Sequence, residues 1–381
     1  MTDFLYTRKD LNESHNSTST FAPGRIEFLG NHLDYNGGSV LGVAINAGIY
    51  ATGSLRSDNR IKFRSESFPK GDLEIVCNQI EKQSGDNSWC NYCLGVFLIL
   101  QQEGLGPKGG FSLTFSSTLP LSVGLSSSAA LELATALALL QLANQKIDKT
   151  DLVRICRKAE NEFVGLPCGI LDQGTSAFGL KDHLVWLDCQ EETFSTIPLP
   201  ANTQIWIFNS GIKHDLVDSL YSTRHEECRQ AFELISQKFP EVKCLAESLE
   251  KHLLEVNLKE SVKKRCLHVI SEQKRVNTFL NGLKENSSPR NLGNLLTESH
   301  RSSSFQFENS CVELDFLVDE LSSSKEVCGT RLSGGGFGGA VMAWTTDRFN
   351  DKDAQKVSAN YEIKFGKSID WYNFKASDGA A

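Results

Sequence analysis

Residues 120–130, PLSVGLSSSAA, constrain this chain more than any other stretch, because they join a loop of backbone and hydroxyl donors directly to a helix. Upstream, residues 111–115 (FSLTF) alternate apolar and polar side chains as a half-buried strand does. Downstream, residues 129–143 are rich in Ala and Leu with almost no helix breaker. The first amides of a helix lack intrahelical partners and lie at the positive end of its dipole, so a triphosphate placed there meets unpaired donors and a favourable field. No Gly-Lys-Ser or Gly-Lys-Thr closes the loop and no G-x-G-x-x-G follows a strand, so the two common phosphate fingerprints do not account for it. Taken alone, three serines before such a helix read as an N-cap cluster.

Two further motifs change that reading. Residues 22–38, APGRIEFLGNHLDYNGG, crowd Arg25, Asn31, His32, Asp34 and Tyr35 between glycines, a density of directional hydrogen-bonding groups suited to a polyhydroxylated ligand. Residues 334–339, GGGFGG, allow close backbone approach to a ligand, and equally a bend between strands.

In this order the three motifs resemble the galactokinase branch of the galactose, homoserine, mevalonate and phosphomevalonate (GHMP) kinase superfamily. The resemblance takes in WCNYCLGV (89–96), AENEFVGLPCGILDQ (159–173), SHRSSSFQFENSCVELD (299–315) and the terminal KASDGA, and so spans most of the chain. It implies an α+β, two-domain GHMP kinase fold. Residues 1–198 would form an N-terminal domain like ribosomal protein S5 domain 2 and carry the sugar and ATP motifs. Residues 199–381 would form a ferredoxin-like α/β sandwich with added helices. Pro198 and Pro200 interrupt regular structure where the domains should part, between residues 187 and 203.

The resemblance also implies ATP-dependent phosphorylation of the anomeric hydroxyl of a hexose, galactose before others. Asp172 matches the family aspartate beside that hydroxyl and would accept its proton, an effect typically worth about 10²- to 10⁴-fold. Arg25 matches the arginine beside the same hydroxyl and the transferred phosphoryl group, where a guanidinium offsets developing charge. The nucleotide would lie on Ser122, Val123, Gly124, Leu125, Ser126, Ser127 and Ser128, with Trp89 near the adenine. Mg²⁺ is the implied cofactor, since phosphoryl transfer rests on positioning and charge neutralisation, and Ser128 and Glu160 are its expected ligands. Sugar contacts fall to Arg25, Asn31, His32, Leu33, Asp34, Gly169, Asp172 and Tyr221.

Three departures bear on the substrate. Asn31 stands where glutamate is usual, and Leu33 and Glu27 stand where Thr and Asn are common. A neutral amide at 31 leaves room for a kinase of a related sugar such as galacturonate, whose carboxylate a glutamate would repel. Against this, no extra Arg or Lys accompanies the change. Ser122 stands where Gly is common. A catalytically silent sensor of sugar and ATP is the other alternative, and Asp172, Arg25, Glu160 and the intact SSSAA argue against it.

Residues 150–164 are expected to form one helix whose apolar face is Leu152, Cys156, Ala159 and Phe163, with Glu160 at its edge and Glu162 in solvent. Further helices are expected over 219–239, 245–256 and 261–283. The net charge of -8 provides no basic patch for nucleic acid. No apolar run approaches a membrane span, and the first ten residues lack a signal-peptide core. Cytoplasm and a monomer are therefore the expectations. The 11 cysteines include one C-x-x-C, Cys90 and Cys93, with no second pair to complete a zinc site, so free thiols are expected. Residues 12–19 are expected to be a flexible end.

Overall fold

The computed structural model describes residues 17–68, 70–120, 123–213 and 217–381. Two sheets carry the architecture. The first joins β1 (Ser17–Leu29), β2 (Ser39–Leu55), β3 (Arg60–Ser65), β4 (Leu73–Val76), β5 (Phe111–Ser117), β6 (His183–Asp188) and β7 (Thr193–Pro198), in the order β4-β3-β5-β2-β6-β7 with β1 paired to β2. The second is antiparallel, in the order β11-β8-β10-β9, from β8 (Thr203–Lys213), β9 (Val327–Ser333), β10 (Gly338–Thr346) and β11 (Asp370–Phe374). The chain leaves one sheet at Pro198 and enters the other at Thr203. Its last residues return to the first sheet, where Ala381 exchanges backbone hydrogen bonds with Phe21 at 2.8 and 2.9 Å.

The helix Ser127–Leu142 lies against β1 and β2 with nearly every residue buried, which its Ala/Leu composition permits on all sides. One continuous apolar cluster reaches from this helix across both sheets to the helix Glu260–Lys284. A second lies on the outer face of β8 to β10.

Two helix expectations need correction. The segment 150–164 is α-helical only over Lys149–Lys158 and then widens into a π-turn, Ala159–Val164, ended by left-handed Gly165. Gly95 on the facing helix Cys90–Gln102 lets the Ala159 carbonyl approach, since a Cβ there would lie 3.1 Å from that oxygen. The segment 245–256 is broken into a 3₁₀ turn, Leu245–Glu247, and the short helix Glu250–Leu254, because Ser248 and Leu249 are extended. The serine run is not an N-cap: Ser126 is itself left-handed (φ 53°) and its side chain makes no cap bond. Among residues 12–19, those before 17 lie outside the described residues, and Ser17 to Ser19 form part of β1.

Candidate active site

The turn after β1, the phosphate loop after β5, the helix Leu171–Phe178 and the glycine turn between β9 and β10 converge on one cleft. Asp172 sits in the first turn of its helix, at the positive end of the dipole. Arg25 Nε donates to Asp172 Oδ1 at 2.7 Å and Nη2 lies 2.5 Å from the same oxygen, while the Ser126 hydroxyl donates to Oδ2 at 2.5 Å. Arg25 Nη1 also donates to the Gly124 carbonyl at 2.9 Å, and its backbone N–H to the Leu125 carbonyl. One guanidinium thus joins the carboxylate to the phosphate loop. Asp172 keeps 27% of its side-chain surface exposed, whereas Arg25 keeps 7%, so the carboxylate faces the cleft and the guanidinium braces it from behind.

In the phosphate loop, Val123 and Leu125 are buried anchors that can meet a ligand only through backbone, while Ser127 is exposed and Ser128 half-buried. Ser122 lies outside the described residues. Trp89 stands at the start of the helix Cys90–Gln102. Its edge meets Phe115 at 5.7 Å on the strand that feeds the loop, and its Nε1 donates to the Gly71 carbonyl.

Glu160 is carried inward by the π-turn, a helical irregularity common at functional sites. Burial and the neighbouring Asp172 raise its pKa, with Cys168, Gln173 and Ser128 pulling it back. Gln173 Nε2 donates both to Glu160 Oε2 at 2.7 Å and to Glu132 Oε2 at 2.9 Å, and Glu132 Oε1 is buried without a partner. Burial, then Glu160, raises the Glu132 pKa as well. A site of two buried carboxylates and a serine hydroxyl, with an unpartnered oxygen, fits a hard divalent cation that keeps most of its ligands from water and phosphate. Glu162 is exposed, as expected.

The sugar turn differs in part from expectation. Leu33 is wholly buried in the core and offers nothing to the cleft. Asn31 is 1% exposed and its amide is saturated: Nδ2 donates to Glu27 Oε1 and the Gly334 carbonyl, and Oδ1 accepts from Ser303 and Asn309, all at 3.0 Å. Glu27 in turn accepts from the buried Arg331 at 3.1 Å. His32 stacks on Phe307 at 4.2 Å and lies 3.2 Å from the Gly335 carbonyl and 2.8 Å from the Tyr35 hydroxyl. Tyr221 adjoins His32 and Gly335, where an added Cβ would lie 3.1 Å from its ring. Gly169 is required by Asp34, whose Oδ2 lies 2.1 Å from where a Cβ would be. A cavity of about 450 Å³ opens beside Asp34 and Gly169, bounded further by Tyr35, Asn161 and His225.

Burial, then Asp172 and Glu27, raise the Asp34 pKa from the ordinary 3.8 to about 7. The sign follows directly: ionisation is disfavoured in the fold, so the cost is absent below pH 4, grows up to pH 7 and is complete above it. It is at most roughly 4 kcal/mol, less where cleft water screens it. Asp34→Asn should therefore raise Tm at pH 8 and raise it by less than half as much at pH 5, while weakening sugar binding. Equal Tm changes at both pH values would show that Asp34 carries no such cost.

Several members of this site had no motif to announce them. Glu132 sits in the Ala/Leu helix, Arg331 precedes the glycine run, and Glu272 and His268 lie on the apolar face of a long helix. The only sequence signal was a polar residue at a core position.

Known proteins resemble this chain along most of its length. The galactokinase galactose-binding signature matches residues 9–55, the GHMP kinases N terminal domain 91–180 and the GHMP kinases C terminal family 280–365. The chain is 37% identical to galactokinase of Thermotoga petrophila over 360 residues, covering 94% of this chain and 98% of that one. It is 36% identical to galactokinase of Pasteurella multocida over 375 residues, covering 97% and 96%. The crystal structure of Lactococcus lactis galactokinase complexed with galactose superposes with a TM-score of 0.91 at 30% identity, covering 96% of this chain and 95% of that one. Mevalonate kinase of Methanococcus jannaschii shares the fold at a TM-score of 0.66 and 19% identity.

Proposed function

The chain belongs to the galactokinase family of GHMP kinases, and we propose that it transfers the γ-phosphate of ATP to the anomeric hydroxyl of galactose, giving galactose 1-phosphate and ADP. The observation that carries this reading is the Arg25–Asp172–Ser126 constellation joined to the phosphate loop. Asp172 takes the proton of the anomeric hydroxyl as that oxygen attacks phosphorus. Arg25 and the first amides of the helix Ser127–Leu142 balance charge on the phosphoryl oxygens. Ser128 and Glu160 would hold Mg²⁺, which would supply charge neutralisation at the ATP phosphates. His32, Asp34, Gly169 and Tyr221 orient the hexose. Gln173, next to Asp172 on the helix Leu171–Phe178, donates to Glu160 on the π-turn at 2.7 Å and so links the two segments that carry these carboxylates.

Galactose is favoured over galacturonate. A C6 carboxylate approaching Asn31 would find all four hydrogen-bonding positions of the amide taken and the Glu27 carboxylate behind it. The site as a whole supports catalysis and not silent sensing, because Asp172, Arg25 and the phosphate loop are already in contact. Among the described residues, no helix is long and apolar enough to cross a membrane.

The test is ADP release with Mg-ATP across galactose, galacturonate, glucose, N-acetylgalactosamine and mevalonate, with phosphorus NMR of the product. Turnover with galactose and phosphate on C1 is expected, with galacturonate at least a hundredfold poorer in kcat/KM. ATP binding without turnover on any sugar would overturn the reading in favour of a sensor.

A further inference from the structure

The turn that carries His32 and Asp34 is strained and is held from the other half of the molecule. Gly30 has φ 112° and His32 φ 61°, a left-handed conformation that a residue with a β-carbon seldom adopts. Such conformations persist only where the surroundings over-determine them. The backbone of this turn is met by one helix, Glu260–Lys284, more than two hundred residues away in sequence.

Glu272, wholly buried on that helix, accepts the backbone N–H groups of Gly30 and Asn31 on Oε1, both at 3.0 Å. The Ser299 hydroxyl donates to the same oxygen at 2.6 Å, and Arg275 Nε to Oε2 at 2.7 Å. One turn earlier, His268 Nε2 lies 3.1 Å from the Asn31 carbonyl, with Nδ1 2.8 Å from Ser302 Oγ. Gln273, next along the helix, accepts the Ser39 N–H at 2.8 Å and so holds the far end of the same turn. Burial opposes the Glu272 charge, but Arg275, His268 and Arg331 outweigh it and hold the carboxyl at about 2, so it is anionic throughout the working range. Backbone donors to a carboxylate are among the stronger hydrogen bonds, and a carboxylate oxygen can take several of them at once.

We propose that Glu272 is the positioning residue of the sugar-binding turn: its carboxylate fixes the strained 30–32 backbone, and through it the directions of His32 and Asp34. The proposal rests on the reading of this turn as the sugar site. Galactose affinity is then governed from a helix that never touches the sugar.

Glu272→Gln tests it, since the amide keeps the volume but loses the charge and one acceptor. The galactose KM should rise about tenfold or more, the effect of turning two charge-assisted bonds into neutral ones, while the ATP KM stays within twofold. Hydrogen–deuterium exchange of the peptide covering residues 26–34, measured without sugar, should quicken about tenfold, with β9 unchanged. Glu272→Asp keeps the pairing with Arg275, and with it the fold, but withdraws the carboxylate by one methylene; it should show the same two effects at least fivefold. Wild-type exchange in the turn, or equal rises in both KM values, overturns the proposal in either variant. Because exchange is read without substrate, failure of the galactose reading would leave the clamp's signature intact and so be told apart.

Discussion

Asp172→Asn should lower kcat by about 10²- to 10⁴-fold, the usual weight of a positioned general base, while galactose still binds within a few-fold of wild type by calorimetry. The amide fills the same space, and its oxygen can still accept from Arg25 or Ser126, as Oδ1 and Oδ2 now do. What it cannot do is take a proton. Because Asp172 is held by partners on both oxygens, the loss should fall on the chemical step and not on the fold, with Tm shifted little. A kcat within tenfold of wild type would remove Asp172 from the role of base and leave orientation as its only contribution.

Arg25→Lys should be the second large effect, with kcat down about 10²- to 10³-fold, comparable to deleting one preorganised donor from a charge-stabilising site. The guanidinium makes three contacts at once, two to Asp172 and one to the Gly124 carbonyl. A lysine ammonium retains the charge but not the planar fork, so it can satisfy the carboxylate or the loop but not both. The ATP KM should rise as well, because the loop loses its side-chain tie to β1 and keeps the backbone bond from residue 25 to the Leu125 carbonyl. Single-turnover measurements separate the two: if phosphoryl transfer is unchanged and only ATP binding weakens, Arg25 is a brace for the loop and not a participant in transfer.

Much of the cleft was legible in the chain. The alternation of 111–115, the small-residue loop and the breaker-free helix are local patterns, and they folded as such, within two residues at most boundaries. Arg25, Asp172 and Ser126 lie in three separate motifs that the fold brings into direct contact. The family resemblance set Gly169 beside the sugar, whereas the need for glycine there comes from Asp34.

Other parts were not readable because their cause is distant. A π-turn at 159–164 needs one extra residue accommodated against Gly95 of another helix, which periodicity within the segment does not encode. The break at 248–249 follows from extended backbone in an otherwise helix-compatible run. Asn31 invited a direct sugar contact by its place in the motif, but an amide has four hydrogen-bonding positions, and Glu27, Gly334, Ser303 and Asn309 occupy them all. Glu272 carried no motif, and its partners Gly30 and Asn31 lie 242 and 241 residues away.

By itself, then, the sequence determined the elements whose causes lie within a turn or a strand: the donor-rich loop, the helix behind it and the glycines. Tertiary structure decided which polar groups face the cleft and which are consumed in holding it, because a buried donor or acceptor must be satisfied by whatever the fold brings within about 3 Å, and that partner is set by packing and not by neighbours in the chain.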